Sequence, residues 1–247
     1  MGNHELTVRF RKARRDPELT VVEGFHALKH ALRFGAELVE AVAVDPEALE
    51  RLAAELAPDL AGRLSGRVER IEAGELAALA PLVPRTGVIA IARRPPFDLA
   101  AVLADPRPAP VVLLEQPRNM GNIGACVRVA AAADAAAVLT TGENDPWFAD
   151  AVRAGAGLQF ALPVASIESL PAGDRPLLAI DPEGEELHPG GLPPRAVLAF
   201  GTERHGVSDG LLERADARVA IPMRAGVSSL NLATSVAVTL FTMRLAS

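Results

Sequence analysis

The chain is poor in several residue types, and each shortage excludes something. One cysteine, Cys126, among 247 residues rules out an internal disulfide and fits a reducing compartment, so a cytoplasmic protein is expected. The five histidines are scattered, and no His, Cys and Asp group has metal-ligand spacing, so no metal is expected. No uncharged apolar run reaches the roughly 18 residues of a membrane span. The first ten residues hold no apolar segment of the kind that directs secretion. Lysine is almost missing, with Lys12 and Lys29 the only two, so the basic character is nearly all arginine. Arginine suits bidentate phosphate recognition.

What is present is apolar and unevenly charged. Hydrophobic residues make up 49% of the chain, enough for a sizeable core. Residues 1–95 carry 14 Lys+Arg against 14 Asp+Glu, and residues 96–247 carry 11 against 17, so the net charge of −6 belongs to the second half. Within the balanced half, Arg9, Arg11, Lys12, Arg14 and Arg15 crowd into seven positions. Such a cluster either binds phosphates or is a solvated N-terminal tail.

Hydrophobic patterning divides the chain near residue 97, at Arg93-Arg-Pro-Pro-Phe-Asp98, where two prolines stop any regular element. Residues 1–97 read as a compact α/β domain with strands at 19–23, 38–44, 67–71 and 87–92 and helices at 24–34, 46–56 and 72–79. Residues 98–247 open with an Ala- and Pro-rich linker and a short helix, then alternate strand and helix in the doubly wound manner. Strands are expected at 111–115, 136–140, 160–164, 176–180, 196–200 and 218–221, with an apolar helix from Ser228 to Leu245.

Three segments sit at carboxyl ends of these strands, where open α/β sheets bind ligands. They are Asn122-Ile-Gly-Ala-Cys-Val-Arg128, Phe200-Gly-Thr-Glu-Arg-His-Gly-Val-Ser208 and Ile221-Pro-Met-Arg-Ala-Gly-Val-Ser-Ser-Leu-Asn231. Small residues let a ligand approach the backbone, and a helix N-terminus offers N–H groups. A dinucleotide site would need a GxGxxG turn and an acidic end to the second strand. Neither is present, since that strand runs into Thr140-Thr-Gly142. Ser228 or Ser229 would cap the last helix, and Asn231, a polar amide early in an apolar helix, needs a partner.

Taken together, the segments resemble the SpoU-type (TrmH-like) RNA ribose 2′-O-methyltransferases of the SPOUT superfamily over roughly residues 110–245. The family's Asn-x-Gly-x-x-x-Arg corresponds to Asn122, Gly124 and Arg128. Its Gly-x-Glu-x-x-Gly corresponds to Gly201, Glu203 and Gly206, and its Ile-Pro-Met…Ser-Leu-Asn to residues 221–223 and 229–231. One departure is Arg153-Ala-Gly-Ala-Gly157, where Gly155 replaces a serine common in relatives, so no catalytic role is expected there. Residues 1–97, with Val22-Glu-Gly24 and the basic lead-in, resemble the L30e-like RNA-binding domain that precedes this catalytic domain in several subfamilies.

The resemblance implies a parallel-sheet α/β domain with a deep trefoil knot, a homodimer, and S-adenosylmethionine as methyl donor, held by Thr140, Gly201, Ile221, Met223 and Leu230. It implies Arg128, Glu203, Ser229, Asn231 and Asn122 as catalytic residues. Arg128 would hold a phosphate and stabilise the developing alkoxide, oriented by Glu203, while Ser229 and Asn231 would hold the hydroxyl. The basic cluster would touch RNA, ribosomal RNA (23S) favoured over transfer RNA. A catalytically silent RNA-binding or ribosome assembly factor is the reading from another class.

Overall fold

The computed structural model describes residues 3–60, 62–64, 66–202 and 205–246. Its contacts divide the chain into two compact units, Met1–Pro96 with Trp147–Ala161, and Phe97–Pro146 with Leu162–Ser247.

The first unit runs α1 (Asn3–Ala13), β1 (Leu19–Glu23), α2 (Phe25–Arg33), β2 (Leu38–Ala43), α3 (Pro46–Leu56), β3 (Glu69–Arg70), α4 (Ala73–Leu79) and β4 (Val88–Arg93). The sheet order is β1-β4-β2-β3, antiparallel except for the β2–β3 pair. Local sequence explains the helices. Asp45 caps α3 by accepting from the Ala48 N–H at 2.9 Å, with Pro46 at the first helical position. Glu72 and Glu75 form a reciprocal capping box on α4. The basic lead-in is no solvated tail. Leu6, Phe10 and Ala13 recur at helical spacing and bury against Val21, Ile89 and Ile91 of the sheet, which orders α1.

Continuing along the chain, the elements are α5 (Leu99–Ala104), β5 (Val111–Leu114), α6 (Met120–Ala132), β6 (Ala137–Thr140), α7 (Ala149–Ala154), β7 (Val164–Ser166), β8 (Leu177–Glu186), β9 (Val197–Phe200), α8 (Asp209–Arg214), β10 (Ala217–Ala220) and α9 (Leu232–Ala246). All six strands of the second unit's sheet are parallel, in the order β10-β8-β9-β5-β6-β7. The central strands β5, β6 and β9 are buried at every position, as parallel strands covered on both faces must be.

The contiguous block expected at 98–247 does not include one excursion. Residues 147–161, with α7, pack into the first unit. Thr20 Oγ1 donates to the Trp147 carbonyl at 2.8 Å, and the His30 imidazole Nδ1 lies 2.7 Å from the Ala156 carbonyl. Glu23, its side chain 1% exposed, pairs with Arg14 at 2.6 Å and with Arg153. The departing Arg153–Gly157 segment thus contributes an ion pair to the first unit. The strand expected at 160–164 starts only at Val164. Pro163 has no N–H, and pairing begins with its carbonyl accepting from Val138 at 3.0 Å. Helix α8 has a cap signature in Ser208-Asp209 that the sequence reading passed over.

Arg175 anchors the start of the second unit. It is 6% exposed, and its guanidinium donates to the carbonyls of Val102, Leu103, Asp105, Ala109 and Arg195. Burial pushes its pKa below the ordinary arginine value. Among the described residues no helix is long and apolar enough to cross a membrane, and no cluster could hold a metal ion.

Candidate active site

Residues 180–182 in the middle of β8 and the carboxyl ends of β9 and β10 face the approach to α9 across a cleft of about 330 Å³. Ile180, Phe200, Ile221, Met223, Leu230 and Leu232 give it apolar walls, and Asp181, Thr202, Ser228 and Ser229 give it polar ones. Its shape depends on two close backbone approaches. Ala179 pairs with Arg218, but the next pair is Glu185 with Val219, so residues 180–184 bulge out of the ladder and turn Ile180 and Asp181 to the cleft. A Cβ on Gly184 would lie 2.4 Å from the Arg218 carbonyl carbon, so the bulge closes only around glycine.

The second approach is at Gly201. Thr202 and Gly206 exchange two backbone hydrogen bonds of 3.0 Å, closing a tight loop directly after β9. A Cβ on Gly201 would sit 1.9 Å from the Gly206 carbonyl, so only glycine permits this closure. Of the five residues expected to hold the cofactor, Gly201, Ile221, Met223 and Leu230 line the cleft. Thr140 does not. It is fully buried on β6, with its hydroxyl 3.4 Å from the Asn144 carbonyl, a structural contact.

The catalytic candidates are distributed differently. Ser229 lines the same cleft. Asn231 caps α9, its Oδ1 accepting from Ala233 at 3.0 Å and Thr234 at 3.4 Å. The helix therefore starts at Leu232, neither serine is its cap, and the partner Asn231 needs is supplied. Its Nδ2 donates to Asn122 Oδ1 at 3.1 Å, tying the start of α9 to the first turn of α6. Both ends of the Asn231 amide are engaged in architecture. Gly121 and Gly124 belong to helix α6 rather than to a preceding turn, because Asn119 caps it by accepting from the Asn122 N–H at 3.0 Å.

Arg128 stands on α6 with its side chain exposed. Glu203 lies outside the described residues. In the basic cluster, Arg9 pairs with Glu40 at 2.6 Å, and Arg14 is held by Glu23 and the Leu79 carbonyl. These two are committed to the first unit's own structure. Arg11, Lys12 and Arg15 remain exposed. One participant escaped the sequence reading. Glu115, just after β5, accepts from both the N–H (2.8 Å) and the hydroxyl (2.5 Å) of Ser208. Its only signal is an acidic residue ending an apolar strand. A second cleft of about 390 Å³, lined by Arg107, His188, Leu240 and Arg244 among others, contains none of the expected site residues.

Comparison with known proteins agrees with this geometry. The model of the SpoU rRNA Methylase family matches residues 109–241. The chain is 30% identical over 242 residues to a 23S rRNA (adenosine(1067)-2′-O)-methyltransferase of Streptomyces azureus, covering 92% of this chain and 87% of that protein. It is 28% identical over 235 residues to the 23S rRNA (guanosine-2′-O-)-methyltransferase RlmB of Bordetella pertussis, covering 90% and 95%. The crystal structure of the SpoU methyltransferase AviRb from Streptomyces viridochromogenes superposes with a TM-score of 0.78 at 21% identity, covering 96% of both chains. That of an RNA 2′-O ribose methyltransferase does so with a TM-score of 0.72 at 29% identity, over 98% of this chain and 94% of that one. The chain belongs to the SpoU rRNA methylase family, whose methyl donor is S-adenosylmethionine.

Proposed function

We propose that this protein methylates a ribose 2′-hydroxyl in structured RNA, with 23S ribosomal RNA as its substrate. The observation that carries the proposal is the strand-end cleft whose α9 wall is tied, through Asn231 and Asn122, to the helix bearing Arg128.

The cleft's chemistry fits S-adenosylmethionine. Its volume falls within the range of about 300–1,000 Å³ typical of small-molecule sites. Flat apolar walls suit an adenine ring. The peptide groups of Gly201 and Thr202, the hydroxyls of Ser228 and Ser229 and the carboxylate of Asp181 suit the polar parts. When bound, the donor supplies an electrophilic methyl group. The protein's own task is to bring a poor nucleophile to it.

Arginine stays protonated at any working pH. Arg128 therefore stabilises negative charge on the ribose oxygen as it develops and holds the neighbouring phosphate, rather than taking the proton. Glu203 orients that guanidinium in this reading. Ser229 holds the hydroxyl at the cleft mouth, and the Asn122–Asn231 pair fixes α6 relative to α9. Exposed Arg11 and Lys12 on α1, and Arg15 in the turn after it, contact RNA phosphates. The L30e-like character of residues 1–97, the trefoil knot in the second unit and a homodimer belong to the same reading.

The ribosomal assignment rests on the relatives named as 23S ribosomal RNA methyltransferases. Incubating the protein with labelled S-adenosylmethionine and separate 23S and transfer RNA pools tests it. Label on a 23S ribose is expected. Label on transfer RNA alone would move the substrate, and no donor binding at all would leave the silent assembly factor.

A further inference from the structure

The loop from Gly201 to Ser208 belongs to the second of the three strand-end segments, and its two ends converge on one residue. The Glu115 backbone N–H donates to the Phe200 carbonyl at 2.8 Å, immediately before the loop begins. The Glu115 carboxylate accepts from the Ser208 N–H at 2.8 Å and from the Ser208 hydroxyl at 2.5 Å, where the loop ends. Ser208 Oγ also caps α8, accepting from the Leu211 N–H at 3.4 Å. One short residue thus grips both ends of the loop with main chain and side chain. Bonds to an ionised carboxylate are shorter and stronger than neutral ones, so the grip at Ser208 is firm.

Glu115 also stands at the end of β5, where the chain turns toward α6. The next residue, Gln116, adopts φ +44°, and its N–H donates to Thr141 Oγ1 at 3.1 Å. The chain then turns through Asn119 into α6 with Asn122 and Arg128. The strand end that launches the arginine helix is therefore the same point that fastens the loop bearing Glu203.

We propose that Glu115 is a positioning residue for methyl transfer, a clamp that holds both ends of the loop after β9 at the strand end from which the chain enters α6, without touching the donor or the RNA. The inference rests on the methyltransferase reading for its kinetic consequence, but the clamp itself can be measured independently. A displacement of about 1 Å at a reacting pair costs on the order of 100-fold in rate. A loosened clamp is accordingly read in kcat and, to a smaller degree, in donor affinity, because Gly201 and Thr202 of this loop line the donor cleft.

Glu115→Gln retains the side chain's shape but places an N–H2 group against one of the two Ser208 donors. Its expected phenotype is a kcat lowered about 10- to 100-fold, with the dissociation constant for S-adenosylmethionine raised by a smaller factor. Amide hydrogen exchange across residues 202–208 should accelerate. Ser208→Ala, which removes one of the two bonds, should shift both readouts the same way by less. Glu115→Asp, which keeps the charge, should recover part of the rate. Unchanged exchange across 202–208 in Glu115→Gln would overturn the clamp, whether or not the protein methylates RNA. A lowered melting temperature with wild-type kcat would reduce Glu115 to a purely structural role and overturn the positioning claim. If no RNA is methylated, accelerated exchange with donor binding still measurable supports the clamp and places the failure in the substrate reading.

Discussion

In the first unit, Glu23 is enclosed between Arg14 and Arg153, its side chain 1% exposed. In the second, Arg128 stands exposed on α6, while the uncharged amides of Asn122 and Asn231 form the tie between helices. The contrast shows two uses for the same residue type. A buried carboxylate requires cationic partners, so the first unit's arginines near Glu23 are committed to structure. At the strand ends of the second unit, caps and backbone closures build the framework, and the Arg128 guanidinium is left exposed. Arg175 marks the boundary of this rule. It is a buried arginine of the second unit, satisfied entirely by carbonyls, far in sequence from the motifs.

The largest break in this comparison should come from Arg128→Ala. Removing a cation aimed at developing charge is expected to lower turnover by about 100- to 1,000-fold. Donor affinity, measured by equilibrium binding, and the melting temperature should stay at wild-type values, because the side chain is exposed. Arg128→Lys should leave most of the deficit, since an ammonium lacks the bidentate fork. Restoration of full turnover by lysine would remove bidentate positioning from the mechanism.

Glu23→Ala should give the opposite pattern. Deleting one partner of a buried ion pair costs about 3–5 kcal/mol. Arg14 and Arg153 are 24% and 34% exposed and regain some hydration. Denaturant titration should therefore report a loss nearer 2–3 kcal/mol. Donor binding by the folded fraction should be unaltered.

Gly201→Ala should fall between the two, damaging function through structure. The added methyl meets the Gly206 carbonyl, so the loop must shift at an overpacking cost of about 1–3 kcal/mol. Calorimetry should show weakened S-adenosylmethionine binding with the unit still folded. The smallest effect belongs to Arg9→Ala. Its pair with Glu40 is at the surface, with the arginine 45% exposed, and should be worth under about 1 kcal/mol. RNA affinity should respond more to joint removal of Arg11, Lys12 and Arg15, with a shallower salt dependence.

Much of the fold was legible in the residues. Helix α3 matches its expected span at Pro46–Leu56, because cap, proline and apolar period agree. The buried parallel strands announced themselves as unbroken apolar runs such as Val111–Leu114. Errors fell where a single hydrogen bond decides. The cap position moved from Ser228 or Ser229 to Asn231, because three polar residues compete and only the tie to Asn122 selects one. Thr140 matched a ligand position in pattern, yet its hydroxyl points to Asn144. Glu115 and Ser208, 93 positions apart, could not be paired by any local signal.

By itself the sequence determined the alternation of strand and helix, the three motifs at strand ends and the glycine at 201. These follow from hydrophobic period, turn chemistry and residue size, all properties of neighbouring residues. Only the tertiary structure decided which arginines are committed and which exposed, that residues 147–161 join the first unit, and that Asn231 serves as a cap. Those outcomes depend on burial and on partners distant in the chain, and a charge's cost or use is fixed only when its surroundings are.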